Sequence, residues 1–180
     1  MPNTTVTLAP GVSWVGALNP NLRVFDIIMR TERGTTYNAY LVQGRDKTAL
    51  IDGVKAGFSQ EWLDRLESLV PLDRIDYLVG NHLEPDHSGA YLAALERMPR
   101  ARVVVSKNAR TFLQELTNQD LDPLLVGTGD SLDLGGQDPP VHYRAVPALA
   151  GHHVHLSARG QRVVFMRFFR RAFLPRSAVR

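Results

Sequence analysis

The sequence predicts an α/β fold in which layered sheets carry helices on their outer side. Short β-branched and aromatic runs separated by Gly, Asn and Asp fill residues 6–52, which is typical of successive strands. Strands and helices then alternate along the chain, as in layered α/β folds. A polar loop, NHLEPDHSG, directly follows one of the later strands, where ligand sites of such folds usually form.

The first part of the chain is predicted to be mainly β-structure. Its strands are Val6–Leu8, Ser13–Val15, Val24–Met29, Tyr37–Val42 and Thr48–Asp52. A helix capped by Ser59 follows, because apolar residues recur there at the 3.6-residue period. Its apolar face consists of Trp62, Leu63, Leu66, Leu69 and Val70.

The second part alternates the two kinds of element. Its predicted helices are Ser88–Met98 and Asn108–Leu116, with Ser106 as a candidate cap for the latter. Its predicted strands are Ile75–Gly80, Arg102–Val105, Leu124–Val126, Ser131–Leu134 and Val141–Val146.

The composition is that of a soluble globular protein, with 44% hydrophobic and 22% charged residues. No apolar run is long enough to span a bilayer, and the N-terminus lacks the basic start and apolar core of a signal peptide. We therefore expect a cytoplasmic protein without membrane contact. The absence of cysteine excludes disulfides and thiolate metal ligands, which leaves His, Asp and Glu as side-chain ligands.

Four side chains of metal-binding type lie within six residues of the polar loop: His82, Glu84, Asp86 and His87. Alternate residues of an extended chain point the same way, so His82 and Glu84 can share one target. Pro85 keeps the residues before it extended and redirects the chain, which can present Asp86 and His87 to a second target close by. Imidazole and carboxylate ligands suit iron, manganese or zinc. The alternative, a solvated acidic loop, is disfavoured by the strand before it and the helix after it.

The loop HLEPDH resembles the H-x-E-x-D-H motif of the flavodiiron proteins, also called A-type flavoproteins. Most metallo-β-lactamase relatives have His where this chain has Glu84. The segments RVFDIIMRTERGTTYNAYLV, KTALID, IDYLVGNHLEPDHSG and RVVVS are also similar to that family. The resemblance runs from Trp14 to about Pro147. It implies a metallo-β-lactamase-like αββα sandwich, of which this chain holds the first half only.

The resemblance also implies a chemistry. In that family His82 and Glu84 would bind one iron, and Asp86 and His87 would belong to the other. The two irons would reduce O₂ to water or NO to N₂O, with electrons from FMN in a C-terminal flavodoxin-like domain that this chain lacks. Rubredoxin or a flavin domain would donate the electrons, and the family is usually homo-oligomeric. Asp52, at the end of a strand, is interpreted as a turn or supporting residue rather than as a ligand.

The sequence departs from the family after residue 147. The family's third His, in a segment resembling H-W-P-D-x-M-F-x-Y, and its bridging Asp, in F-S-x-D-x-F-G, are not found in register. His152, His153 and His155 stand in PALAGHHVHLSARG without the surrounding motif, so we do not assign them as ligands. Seven Arg and no acidic residue occur from Gly151 onward, without helical or strand periodicity. We therefore assign residues 1–147 to the diiron domain and residues 148–180 to an aberrant basic tail that packs poorly, with no nucleic-acid partner.

An out-of-frame reading explains this tail. With permitted codons, Ala148–Ser157 read one nucleotide later gives HWPDTMFTYL, which contains the missing third-His motif. Phe165–Phe173 read in the same frame gives SCDF, then F or S by codon choice, then GAHF, which contains the bridging-Asp motif. We expect a frameshift at or just before Ala148 and an accidental stop codon at the end.

The sequence leaves open two hypotheses about function, which belong to different functional classes. The chain is either a diiron reductase domain, inactive alone, that depends on other chains for electrons and missing ligands, or a non-catalytic remnant that binds metal weakly. A third reading, a zinc hydrolase of the metallo-β-lactamase superfamily, is disfavoured by Glu84, because an anionic oxygen ligand favours the harder, redox-active metal.

Overall fold

The computed structural model describes residues 5–25, 27–127 and 130–135, and the backbone of three further strands at residues 142–146, 153–158 and 161–165. The helices of this part are α1 (Ser59–Glu67), α2 (Pro85–Ser88), α3 (Tyr91–Arg97) and α4 (Ala109–Thr117). Short 3₁₀ turns lie at Ala56–Phe58 and Leu72–Arg74. None of the helices described here has the length and apolar character needed to cross a membrane.

The strands of the same part are short. In chain order they are β1 (Val6–Ala9), β2 (Val12–Trp14), β3 (Ala17–Asn19), β4 (Val24–Phe25), β5 (Met29–Arg30), β6 (Thr35–Tyr37), β7 (Tyr40–Gln43), β8 (Thr48–Ile51), β9 (Tyr77–Gly80), β10 (Arg102–Ser106), β11 (Leu124–Val126), β12 (Ser131–Asp133), β13 (His142–Val146), β14 (His153–Ala158) and β15 (Gln161–Phe165).

The main sheet has seven strands in the order β1-β2-β7-β8-β9-β10-β11. The first four pair antiparallel as hairpins and meanders. From β8 to β11 each strand is parallel to its neighbour, with helices in the connections after β8, β9 and β10. The carboxyl ends of β8, β9 and β10 therefore meet at one edge of the sheet, where parallel α/β sheets bind ligands.

The two faces of this sheet belong to two separate apolar clusters. Leu50 and Leu78 face the helices, where they pack in one cluster with Trp62 and Tyr91. Their neighbours in the strands point the other way and form the second cluster: Ala49, Ile51, Val79 and others. This alternation follows from the two-residue period of a strand buried on both faces. The predicted apolar face of α1 is confirmed, because Trp62 and Leu66 are fully buried.

A second sheet covers the other face. Its strands are in the order β12-β13-β14-β15, and each pairs antiparallel with the next. Leu132 of β12 and the following Leu134 pack in the second cluster together with Val42 and Val104 of the main sheet. The layers are therefore helix, sheet and sheet, as predicted.

Some predicted strands are interrupted. The predicted strand Val24–Met29 is a small hairpin, in which β4 pairs with β5 and Ile27 has a positive φ of 68°. The predicted strand Tyr37–Val42 is divided between β6, which pairs with the unpredicted β3, and β7 of the main sheet. Apolar content alone does not reveal such breaks, because they depend on which partner strand each half meets.

The predicted caps also differ from the structure. Ser59 is the first residue of α1 rather than its cap, and its hydroxyl donates to the Ala56 carbonyl. Ser106 ends β10, and α4 begins at Ala109 without a side-chain cap. The helix predicted from Ser88 begins earlier, at Pro85, and is divided into α2 and α3.

Two strands lie in the predicted tail, although its sequence shows neither helical nor strand periodicity. Residues 153–158 pair with β13 and residues 161–165 pair with β14. These strands are defined by antiparallel pairing of their backbones, which an alternation of apolar residues in the sequence does not predict. The prediction that the tail packs poorly concerns side chains outside the described residues, as do the interpretations of His152, His153 and His155.

Candidate metal centre

The candidate site lies in the loop and one-turn helix that follow β9. Glu84 is extended, with φ −62° and ψ 147°, and Pro85 occupies the first position of α2. The sequence predicted this extended residue, because Pro disfavours a helical conformation in the residue before it. Pro is also well suited to the first turn of a helix, where its missing N–H is not needed. The loop therefore ends in a turn that carries Asp86 and His87.

Three of the four predicted ligands form one compact group. His82, Asp86 and His87 each offer one ligand atom, and these atoms all lie within 4.8 Å of one another. The two imidazole rings are in an edge-to-face arrangement with centroids 5.1 Å apart. All three side chains are partly buried, at about a fifth exposed. The group is therefore open to solvent on one side and held by the protein on the other.

Glu84 touches this group through His82. Its Oε2 atom lies 3.0 Å from His82 Nε2, and its side chain is 47% exposed. Asp86 Oδ2 lies 3.5 Å from His87 Nε2. The structure thus brings all four predicted residues together, but it groups Asp86 and His87 with His82 rather than in two separate pairs. The assignment of each residue to a particular iron stays a prediction.

Asp52 supports the loop from the end of β8. Its Oδ1 atom accepts hydrogen bonds from the backbone N–H groups of Asn81 at 2.8 Å and His82 at 3.0 Å. Its Oδ2 atom accepts a third from the Asn81 side chain at 3.3 Å. Burial raises the pKa of the Asp52 carboxyl, against the lowering effect of the His87 charge and of these N–H donors. These hydrogen bonds are in keeping with the interpretation of Asp52 as a turn or supporting residue.

Gly53 and Ser88 pack closely against the backbone around α2. A Cβ atom added at Gly53 would lie 2.9 Å from the His87 carbonyl oxygen and 3.0 Å from a Tyr91 ring carbon. The Ser88 hydroxyl is buried and donates toward the Leu83 carbonyl at 2.8 Å. These close contacts restrict the position of the His87 backbone. These supporting roles of Gly53 and Ser88 were not predicted from the sequence, because they depend on the close approach of two segments that are distant in the chain.

The donor set fits a metal such as iron. His87 Nδ1 is buried and has no hydrogen-bond partner among the described residues, which is costly for a polar atom unless a ligand occupies the site. Two imidazoles and a carboxylate are ligands of intermediate hardness that suit Fe, Mn or Zn. Among the residues that the structure describes, no other group of three His, Asp or Glu side chains has this geometry.

Known proteins are similar to this chain in sequence. The family profile described as "ODP family beta lactamase" matches residues 35–166, which extends past the predicted boundary at residue 147. The type A flavoprotein fprA of Rhodobacter capsulatus is 47% identical over 140 residues, which are 76% of this chain and 32% of that protein. A nitric oxide reductase of Moorella thermoacetica is 41% identical over 132 residues, covering 72% of this chain and 33% of that protein.

A solved structure shows the same fold. The rubredoxin oxygen:oxidoreductase of Desulfovibrio gigas superimposes with a TM-score of 0.73 at 33% identity, over 79% of this chain and 35% of that chain. The chain thus spans about a third of the length of the curated relatives it matches. The match includes the HLEPDH loop and the sheet edge that supports it. The chain therefore belongs to the ODP family of β-lactamase-fold proteins, the metallo-β-lactamase-like domain of the flavodiiron proteins.

Proposed function

We propose that this chain is the metal-binding part of an oxidoreductase that reduces O₂ to water, NO to N₂O, or both. The observation that carries the proposal is the clustering of His82, Asp86 and His87 within 4.8 Å, with Glu84 in contact, on a loop of the family's motif. One relative is named a nitric oxide reductase and one solved neighbour a rubredoxin oxygen:oxidoreductase. Iron bound at these residues would bind the substrate and pass to it the electrons that the electron donor supplies.

The residues of this chain have distinct tasks in the proposed site. His82, Glu84, Asp86 and His87 are proposed as the metal ligands. Asp52 holds the loop through two backbone N–H groups, so that the His82 ring is presented in one place. The partly exposed side of the group leaves a path for a small substrate from solvent.

The chain alone is proposed to have no turnover. The residues matched are about a third of the relative's length, and turnover is proposed to need an electron donor, either FMN in a flavodoxin-like domain or rubredoxin. Oligomeric assembly, as is usual in the family, is part of the same proposal. The weakly metal-binding remnant is the other outcome to be tested.

The test is anaerobic reconstitution of the full chain with Fe²⁺. We expect iron that survives desalting, and its loss in the double variant His82→Ala/His87→Ala. The matched control is His142→Ala, which removes a histidine outside the proposed group. Consumption of O₂ and of NO is then measured with an artificial electron donor, and again after addition of a flavodoxin-like domain from a relative.

Three outcomes are informative. Iron bound through these histidines, with turnover that depends on the added flavin domain, supports the proposal. A chain that retains no iron, or that retains it equally after both histidines are removed, contradicts it. Preferential retention of zinc over iron, with hydrolysis of an ester or lactam, would point instead to the hydrolase reading.

A further inference from the structure

An open cavity of about 390 Å³ lies between the turn that joins α3 to β10 and the connection from α4 to β11. Both segments lead into the amino ends of parallel strands, whereas the HLEPDH loop follows the carboxyl end of β9. The cavity is therefore at the opposite end of these strands from the proposed metal centre. We propose that this cavity binds a free α-amino acid with a large apolar side chain, an activity that is independent of the proposed function.

Much of the cavity lining is apolar. It includes Leu95, Met98, Val103 and Leu121, which also pack in or against the apolar cluster on the helix side of the main sheet. Met98 and Val103 are almost fully buried. Such a lining favours a hydrocarbon or aromatic group over water, because burial of that group removes its apolar surface from solvent. The thioether of Met98 is also a favourable neighbour for an aromatic ring.

The rim of the cavity carries charges of both signs. Arg102 and Asp122 line the cavity and are exposed. Neither side chain has a hydrogen bond or ion pair with another residue in the described part of the chain. Arg100, which also lines the cavity, is already engaged, because its Nη2 atom lies 3.3 Å from Asp76 Oδ1. The rim therefore offers one guanidinium and one carboxylate to a ligand that carries a carboxylate and an ammonium group.

These two charges favour a free α-amino acid over simpler ligands. A plain carboxylic acid would place its negative charge on the same rim as Asp122, and a plain amine would place its positive charge on the same rim as Arg102. The terminal residue of a peptide supplies only one of the two charges. A free α-amino acid supplies both on one carbon atom, next to the side chain that the apolar lining would receive.

Backbone hydrogen bonds hold the turn on one side of the cavity. The Ala101 N–H donates to the Met98 carbonyl at 2.9 Å, and the Arg102 N–H donates to the Asp76 carbonyl at 2.9 Å. On the other side, Asp122 has a positive φ of 37°, a region that Asp and Asn tolerate better than most residues. The Arg102 side of the cavity is thus in place before a ligand arrives, which lowers the entropic cost of binding.

The experiment is a calorimetric titration of the full chain with L-phenylalanine, for which we expect one site per chain. Arg102→Met keeps an apolar stem, and Asp122→Asn keeps a residue that tolerates positive φ. Each variant should weaken binding by about tenfold or more, because each removes one charge-assisted hydrogen bond. The matched controls are Arg74→Met and Asp73→Asn, which change exposed residues outside the cavity and should bind as the unmodified chain does. Circular dichroism checks that every variant is folded.

Two analogues test the charge requirement on the unmodified chain, without any variant. Hydrocinnamate lacks the ammonium group of L-phenylalanine, and phenethylamine lacks its carboxylate. Each should bind about tenfold more weakly than L-phenylalanine, because each loses one ionic contact and faces one like charge on the rim. In Asp122→Asn the difference between hydrocinnamate and L-phenylalanine should disappear, since the carboxylate that distinguishes them is gone.

Each outcome decides for or against the proposal. Binding of L-phenylalanine that depends on both Arg102 and Asp122, and that exceeds the binding of both analogues, supports it. Binding that persists in both variants, or hydrocinnamate binding as tight as that of L-phenylalanine, overturns it. Absence of binding at about 10 mM L-phenylalanine, by calorimetry and by chemical-shift changes, also overturns it. Iron retention by the HLEPDH loop is measured separately, so any of these failures leaves the proposed function standing.

Discussion

The Asp52 carboxylate accepts a hydrogen bond from the His82 backbone N–H at 3.0 Å and so joins the end of β8 to the first histidine of the HLEPDH loop. The two residues are thirty positions apart, and the parallel pairing of β8 with β9 brings them together. Asp52 also has a positive φ of 54°, a conformation that Asp and Asn tolerate better than most residues. The position of the Asp52 side chain thus depends both on its hydrogen bonds and on its backbone conformation.

Removal of this carboxylate should destabilise the metal-free chain. Asp52→Ala leaves two backbone N–H groups without an acceptor, so we expect a loss of about 2–4 kcal/mol in the free energy of unfolding. Asp52→Asn keeps one acceptor oxygen and the left-handed backbone, and should lose about 1 kcal/mol. Urea unfolding followed by circular dichroism gives both values. The control is the exposed Asp73→Ala, and an Asp52→Ala loss no larger than that of the control would show that the bonds are dispensable.

Gly53 should be more sensitive to substitution than Gly57, although the two are four residues apart. In Gly53→Ala the new Cβ meets the His87 carbonyl oxygen at 2.9 Å and Trp62 at 3.1 Å, so we expect a loss of about 1–3 kcal/mol and weaker metal binding. In Gly57→Ala nothing lies within 4 Å of the new Cβ, and stability should be unchanged or slightly higher. Thermal unfolding and Co²⁺ titration of the two variants test this, and equal effects would contradict it.

Ionisation of the Tyr40 phenol should lower the free energy of unfolding at alkaline pH. Burial, together with the negative charge of Asp52, raises the pKa of the Tyr40 phenol from 10.0 to about 12. Above pH 10 the unfolded chain therefore loses this proton while the folded chain keeps it, so stability falls as pH rises from 10 toward 12. The loss should be on the order of 2 kcal/mol. Unfolding measured from pH 8 to 11.5 should show a smaller decline in Tyr40→Phe; identical slopes for both proteins would exclude the effect.

The coding DNA should explain the basic tail. We expect that the frame one nucleotide later, across codons 140–185, encodes segments like HWPDTMFTYL and SCDF(F/S)GAHF. Sequencing the gene across this region decides the matter. Stop codons in that frame, or no family motif there, would leave the seven Arg after Gly151 in need of a functional explanation.

The sequence alone determined the identity and order of the side chains that are proposed to bind metal. His82, Glu84, Asp86 and His87 were predicted because their residue types and the local effect of Pro85 act over a few positions. The apolar face of α1 was predicted for the same reason, since the 3.6-residue period is a local property. The layered α/β class also followed from local patterns.

The tertiary structure decided which of these side chains lie close to one another. The compact group of His82, Asp86 and His87 depends on contacts with residues that follow another strand. Gly53 packs against the His87 carbonyl, and Asp52 accepts a hydrogen bond from the His82 N–H. The break of Val24–Met29 into a hairpin and the strands of residues 153–165 likewise depend on partner strands. Contacts between segments far apart in the chain carry no short-range signal, so periodicity and residue type cannot reveal them.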